Sequence, residues 1–170
     1  MTIFNQPKDN SMKAAIFGLL VAALASPALA SGSHKGGHGE VMAVGEPGKN
    51  ADATRTIRVT MKETDDGRMI FAPSELQVRE GQTVRFTIRN AGELEHEFVL
   101  DQQDKITEHK AAMEKFPDME HEDPNAIRLA PGQTGEIVWK FTNAGTFKIA
   151  CLVPGHYDAG MHGGVTVARK

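Results

Sequence analysis

Short segments in which apolar and polar residues alternate recur along the chain from Thr54 onward. In "TVRFTIRN" (83–90), Val84, Phe86 and Ile88 alternate with polar residues. A period of two places every second side chain on the same face of an extended strand, whereas a helix repeats about every 3.6 residues. The turn signals "NAGE", "APGQ" and "TNAG" separate segments of this kind. Together these features predict an all-β sandwich.

The alternation predicts about eight strands. Their ranges are 56–61, 74–78, 83–90, 96–100, 126–130, 135–141, 146–150 and 164–168. One long segment, 101–125, breaks the rhythm because it is polar, acidic and partly helical in pattern. We expect this segment to form an insertion between two strands.

Residues 1–30 have the pattern of a cleaved signal peptide. Lys13 precedes a short apolar run (14–25), and "ALA" (28–30) is a small-residue cleavage site. The run is too short to span a membrane, which needs about 20 apolar residues. We therefore expect a periplasmic protein with no membrane insertion. Whether translation starts at Met12 stays open.

Two regions follow the predicted signal peptide. Residues 31–53 are rich in glycine and polar groups and show no period, which predicts a flexible arm that carries His34 and His38. Residues 54–170 are expected to form one domain. The formal net charge of −3 at pH 7 gives no electrostatic footprint for nucleic acid. We expect a monomer that binds no nucleic acid.

The stretch "CLVPGHYDAGM" (151–161) contains the single cysteine of the chain, Cys151, followed by His156 and Met161 at steps of five. One cysteine cannot form an internal disulfide, although oxidising compartments favour them. Such a thiol is a reactive group, an intermolecular link, a metal ligand or a small buried hydrophobe. Thiolate, thioether and imidazole together suit a copper ion that changes oxidation state.

A second imidazole is available at His96, which opens the predicted strand "HEFVL". In a sandwich, the start of that strand can lie beside the 151–161 loop at the same pole. Two histidines and a cysteine with a weak axial methionine form the blue-copper ligand set. A structural zinc site fits less well, because it prefers closely spaced cysteine or histidine pairs. A cysteine-nucleophile enzyme also fits less well, because it would place its orienting base away from the thiol and would have no methionine at this step.

From Phe71 to Val167 the chain resembles the cupredoxins, the plastocyanin and azurin-like copper proteins. The segment "FAPSELQVREGQTVRFTIRNAGELEHEF" is similar to their first half, and "GTFKIACLVPGHYDAGMHGGVTV" is similar to their C-terminal ligand loop. The resemblance implies a Greek-key β-sandwich that holds one type 1 copper ion per chain. Carried over by position, the copper ligands are His96, Cys151, His156 and Met161.

One residue departs from the pattern of many cupredoxins, in which an asparagine follows the first histidine and its backbone helps to hold the thiolate. This chain has Glu97 at that position. A backbone donor survives the substitution, but the reduction potential and the colour of the centre, blue or green, stay open. We expect the side chain of Glu97 to face solvent, His162 to be a surface residue and Trp139 to lie in the core.

Two functions are compatible with such a site. One is a periplasmic copper protein that cycles between Cu(I) and Cu(II) and supports copper tolerance. The alternative is a small electron-transfer carrier, with a redox protein docking at the His156 edge. The histidines of the arm and of the insertion favour tolerance, because they offer further copper ligands. An enzyme is not expected, since multicopper oxidases and copper nitrite reductases build further copper centres between several domains of this kind.

The insertion offers a second, weaker copper site. Its "KITEHKAAMEKF" pattern predicts a short helix stopped by Pro117, and residues four apart on a helix share one face. The alternative is that Ile106, Met113 and Phe116 pack the helix onto the sandwich and leave the histidines in solvent. The candidate ligands of this second site are His109, Met113, Met119 and His121.

Overall fold

Ten β-strands and one α-helix make up the described part of the chain, residues 42–117 and 122–170, in the computed structural model. The first five strands are β1 (Glu46–Pro47), β2 (Arg55–Glu63), β3 (Met69–Ala72), β4 (Glu75–Arg79) and β5 (Thr83–Asn90). The other five are β6 (His96–Asp101), β7 (Ala126–Leu129), β8 (Thr134–Lys140), β9 (Gly145–Ala150) and β10 (His162–Ala168). The helix, α1 (Gln103–Lys115), lies between β6 and β7.

The strands form two five-stranded sheets. The first has the order β1-β8-β5-β2-β3 and the second the order β4-β10-β9-β6-β7. The pairs β2–β5 and β4–β10 are parallel, and all other neighbours in these sheets are antiparallel. The chain passes repeatedly from one sheet to the other, as it does in a Greek-key sandwich. The predicted all-β sandwich with a helical insertion is confirmed.

Alternate side chains of the two sheets form the core. In β5, Val84, Phe86 and Ile88 are fully buried, as the alternation predicts. Phe86 packs across the sandwich on Phe98 of β6, with ring centroids 5.6 Å apart. Burying each side chain of this size stabilises the fold by about 1.5–3 kcal/mol before the loss of conformational entropy is counted. This core therefore holds the two sheets in a fixed relation.

The strand β6 is buried on both faces. Phe98 and Leu100 point into the main core, whereas Val99 packs with Ile106 and Met113 of α1 in a second apolar cluster. The helix thus covers the outer face of the second sheet. It ends before Pro117, since proline disfavours the helical conformation in the residue that precedes it. The insertion and its predicted helix are confirmed in type and in position.

The structure differs from the sequence predictions at residues 42–53, which were expected to belong to a flexible arm. Val44 is fully buried, and its carbonyl accepts a hydrogen bond from Nε1 of Trp139 at 3.2 Å. Gly45 has a φ of 132°, and a Cβ there would collide with the carbonyl of Lys140. Glycine therefore lets this segment approach β8 closely enough for β1 to pair with it. The expected core position of Trp139 is confirmed.

A further difference from the sequence predictions concerns two short strands. The strands β1 and β3 were not predicted, since β1 has only two residues and the four residues of β3, "MIFA", are all apolar, so that neither shows alternation. The predicted signal peptide, the rest of the predicted arm with His34 and His38, and the second-site residues Met119 and His121 lie outside the described residues. Within the described ranges, no helix combines the length and the apolar character of a membrane span.

The packing of α1 predicts the effect of shortening its buried methionine. Met113→Ala is expected to lower the free energy of unfolding by about 2–5 kcal/mol, because it leaves a cavity against the sheet. Phe116→Ala is the matched control, since Phe116 is 60% exposed and its loss should change stability by less than about 0.5 kcal/mol. Urea unfolding followed by the fluorescence of Trp139 measures both variants. Equal stabilities of the two would contradict this account of the helix.

Candidate metal centre

Three side chains that can bind a metal converge at one pole of the sandwich. His96 is the first residue of β6, Cys151 follows the last residue of β9, and His156 lies in the loop between β9 and β10. One ligand atom from each of them lies within 4.8 Å of the other two. All three side chains are buried, with at most 8% of a residue exposed.

The distances within this cluster fit a single small ion. The Nδ1 atoms of His96 and His156 are 3.1 Å apart, and Sγ of Cys151 lies 3.4 Å from Nδ1 of His156. One thiol and two imidazoles, screened from solvent, form a mixed soft and borderline donor set. The site can therefore hold copper with two nitrogen ligands and one sulfur ligand.

Backbone hydrogen bonds fix the loop that carries two of these residues. The N–H of Cys151 donates to the carbonyl of Met161, and the N–H of Met161 donates to the carbonyl of His156, both at 3.0 Å. Gly155 and Gly160 take positive φ values of 85° and 101°, which glycine adopts without strain. The hydrogen bonds bring the backbone of Met161 next to Cys151 and His156. The side chain of Met161 is fully buried.

The surroundings of the Cys151 thiol control its protonation state. Burial raises the pKa of Cys151 to about 12, although hydrogen bonds from backbone N–H groups oppose this shift. The N–H of Glu97 donates to Sγ of Cys151 at 3.3 Å. The backbone donor expected at this position is therefore present despite the glutamate side chain. The thiol stays protonated near pH 7 unless a positive charge stabilises the thiolate.

Both histidines are held in the neutral form. Burial lowers the pKa of His96, while the nearby Glu63 carboxylate opposes that shift. Burial also lowers the pKa of His156, and the proximity of His96 lowers it further. A pKa below the ordinary value means that the uncharged imidazole predominates at neutral pH. A nitrogen lone pair is then available to a metal without the loss of a proton.

Two glutamates near the centre differ from what the sequence indicated. Glu97 is only 2% exposed, so the expectation that it faces solvent is wrong. It lies in β6, which pairs with a neighbouring strand on each side and is not at the edge of its sheet. Glu63 was not identified, although its Oε1 lies 3.0 Å from Nε2 of His96. The two residues are 33 positions apart and belong to different sheets, and no local motif relates them.

The other predicted residues have clear places. His162 is exposed and stacks on Tyr157, with ring centroids 4.6 Å apart, so its expected surface position is confirmed. Met113 is fully buried in the apolar cluster under α1, as the packing alternative predicted, but Phe116, which that alternative also placed against the sandwich, is 60% exposed. His109 is half-buried and lines a surface cavity with Asp101 and Asp123. A second copper site in the insertion stays a prediction.

Known proteins are similar to this chain in sequence and in architecture. A family model described as copper binding proteins of the plastocyanin/azurin family matches residues 58–168. The copper-resistant cuproprotein CopI of Rubrivivax gelatinosus is 51% identical over 123 residues, which cover 72% of each chain. The CopI of Pseudomonas aeruginosa is 34% identical over 159 residues, covering 76% of this chain and 84% of that relative. Auracyanin B is a similar solved structure, with a TM-score of 0.58 and 25% identity over 73% of this chain and 96% of that one.

The family match includes all three clustered side chains and the loop that holds them. The donor set suits copper by its chemistry, independently of the match. The matched range also covers most of the described residues. From its sequence and its structure, this chain belongs to the plastocyanin/azurin family of copper-binding proteins.

Proposed function

We propose that this protein is a periplasmic copper protein that binds one ion through His96, Cys151, His156 and Met161, cycles between Cu(I) and Cu(II), and supports copper tolerance. The observation that carries the proposal is the convergence of one buried thiol and two buried imidazoles within 4.8 Å. Bound copper supplies a one-electron redox couple to this site. The residues of the chain keep the ligand positions the same in both oxidation states.

The rigidity of the ligand set supports redox cycling. The backbone bonds within the 151–161 loop and the β6 backbone bond to Sγ of Cys151 fix the sulfur and His156 from several directions. His96 is fully buried and fixed by Glu63. A side chain held in this way needs little rearrangement when the charge of a bound ion changes. Met161 is proposed as the weak axial ligand because its fully buried side chain starts beside Cys151 and His156.

Copper tolerance is favoured by the relatives and by the elements added to the sandwich. Both CopI relatives are named as copper-resistant proteins. The predicted signal peptide supports a periplasmic location, where such a protein meets copper first. The insertion adds His109 at the surface, and the predicted arm adds His34 and His38. These histidines offer further ligands that can bind copper loosely.

An electron carrier is the second candidate function, and the edge of His156 favours it. His156 is 8% exposed, while Pro154 and Gly155 beside it are exposed. A redox protein that docks on this edge would come within a short distance of a metal ligand. In both functions we infer a monomer that is not an enzyme, and the CopI relatives are named as cuproproteins.

Replacing the thiol tests the copper site. Copper(II) titration of the chain from residue 31 onward should give an intense thiolate-to-copper absorption band that saturates at one ion per chain. Cys151→Ser should abolish this band and leave the sandwich folded, because serine nearly matches cysteine in volume. Visible spectra measure the band, and far-ultraviolet circular dichroism checks the fold. An unchanged band in the folded variant would rule out Cys151 as a ligand.

Replacing the proposed axial ligand tests the role of Met161. Met161→Leu should keep the copper and raise its reduction potential, because the thioether donates weakly to the oxidised ion. Potentiometric titration followed at the visible band measures the shift. Met113→Leu, in the apolar cluster under the helix, is the matched control and should leave the potential unchanged. Complete loss of copper from the Met161 variant would show that the loop has been interpreted wrongly.

A growth experiment separates tolerance from electron transfer. In a strain that lacks the gene, the wild-type chain should restore growth at raised copper concentrations, and Cys151→Ser should restore it much less. Growth without added copper should be the same for both, since tolerance matters only when copper is in excess. If deletion instead slows respiratory growth at ordinary copper levels and leaves copper sensitivity unchanged, the carrier function is the correct one.

A further inference from the structure

His96 is contacted from both sides of its ring. Its Nδ1 faces His156, whereas its Nε2 lies 3.0 Å from Oε1 of Glu63. Glu63 is the last residue of β2, in the first sheet, and His96 is the first residue of β6, in the second. The contact therefore crosses between the two sheets. A carboxylate oxygen only accepts hydrogen bonds, so Nε2 of His96 is the donor.

The carboxylate of Glu63 is itself held in place. The N–H of Glu93 donates to Oε2 and the N–H of Leu94 donates to Oε1, both at 3.0 Å. Gly92 leaves the space for this arrangement, since a Cβ at that position would collide with Oε2 and lie 2.8 Å from Cδ of Glu63. The turn between β5 and β6 thus binds the Glu63 carboxylate through two backbone N–H groups, and Gly92 leaves room for it.

The carboxylate of Glu63 lies at the edge of the buried centre. The Glu63 side chain is 26% exposed and that of His96 is fully buried. The carboxylate therefore meets the buried ring at Nε2, the nitrogen that faces away from His156.

We propose that Glu63 is a positioning residue that fixes His96 as the Nε2–H tautomer and increases the electron donation of its Nδ1, so that the site favours Cu(II) over Cu(I). This inference rests on the proposed copper site. A carboxylate that accepts the outer N–H of a ligand histidine orients the ring and raises its basicity. A more basic nitrogen stabilises the more positive ion, which lowers the reduction potential.

Three substitutions separate charge from geometry. Glu63→Gln keeps the shape and removes the charge, Glu63→Ala removes both, and Gly92→Ala keeps the carboxylate but displaces it. Gly92 does not have a positive φ, so its backbone accepts alanine. Asp65→Asn is the matched control, because it removes an exposed carboxylate two positions further along the chain.

The expected result is a change in relative affinity. In Glu63→Gln, the affinity for Cu(II) should fall about tenfold relative to Cu(I), which corresponds to a rise of about 59 mV in the reduction potential. Gly92→Ala should shift the potential in the same direction, and Asp65→Asn should leave it at the wild-type value. The proposal is overturned if Glu63→Gln and Asp65→Asn have the same potential and the same ratio of affinities.

A measurement without metal separates this inference from the proposed function. In the copper-free wild type, the ring ¹⁵N shifts of His96 should show a proton on Nε2, and in Glu63→Ala the two tautomers should mix. A proton on Nδ1 of His96 in the wild type would overturn the role of Glu63 whether or not the protein binds copper. Conversely, absence of the Cys151-dependent band in the wild type would refute the copper site and leave the tautomer result intact.

Discussion

The register between β6 and β9 is the constraint on which the metal centre depends. Val99 lies opposite Ala150, so the antiparallel ladder brings Cys151 next to the start of β6. There the N–H of Glu97 donates to Sγ of Cys151 at 3.3 Å. A slip of one residue would turn Cys151 away from the core and toward the helix, because successive side chains of a strand point to opposite faces.

The two apolar clusters fix this register from both sides. Phe98 and Leu100 belong to the main core, while Val99 belongs to the cluster under α1. A slip of one residue would move Phe98 and Leu100 out of the main core and Val99 out of the cluster under α1, because it turns every side chain of the strand to the opposite face. The insertion also reaches the ligand loop, since Nζ of Lys110 lies 3.1 Å from a carboxylate oxygen of Asp158. The helix therefore supports the centre in addition to covering the sheet.

The sequence was sufficient to predict the features that depend on residues close together in the chain. Alternation located eight of the ten described strands, and the spacing of Cys151, His156 and Met161 in one loop pointed to a metal site. The contacts that it missed depend on the closure of the sandwich. The bond between Glu63 and His96 joins different sheets, and Glu97 is buried within the assembled sandwich. No periodicity within a single segment records either of these contacts.

The polar groups of the centre also link metal binding to the stability of the fold. Burying two imidazoles and a thiol removes their hydrogen bonds with water, which is unfavourable unless other partners replace them. The fold replaces only some of them, through Glu63 and the N–H of Glu97, and the nitrogens that face each other are best satisfied by a shared cation. A ligand that binds only the folded state at a concentration 100 times its Kd stabilises that state by about 2.7 kcal/mol. The apolar residues on both faces of β6 contribute to the same stability, since they hold the strand that carries His96 in place.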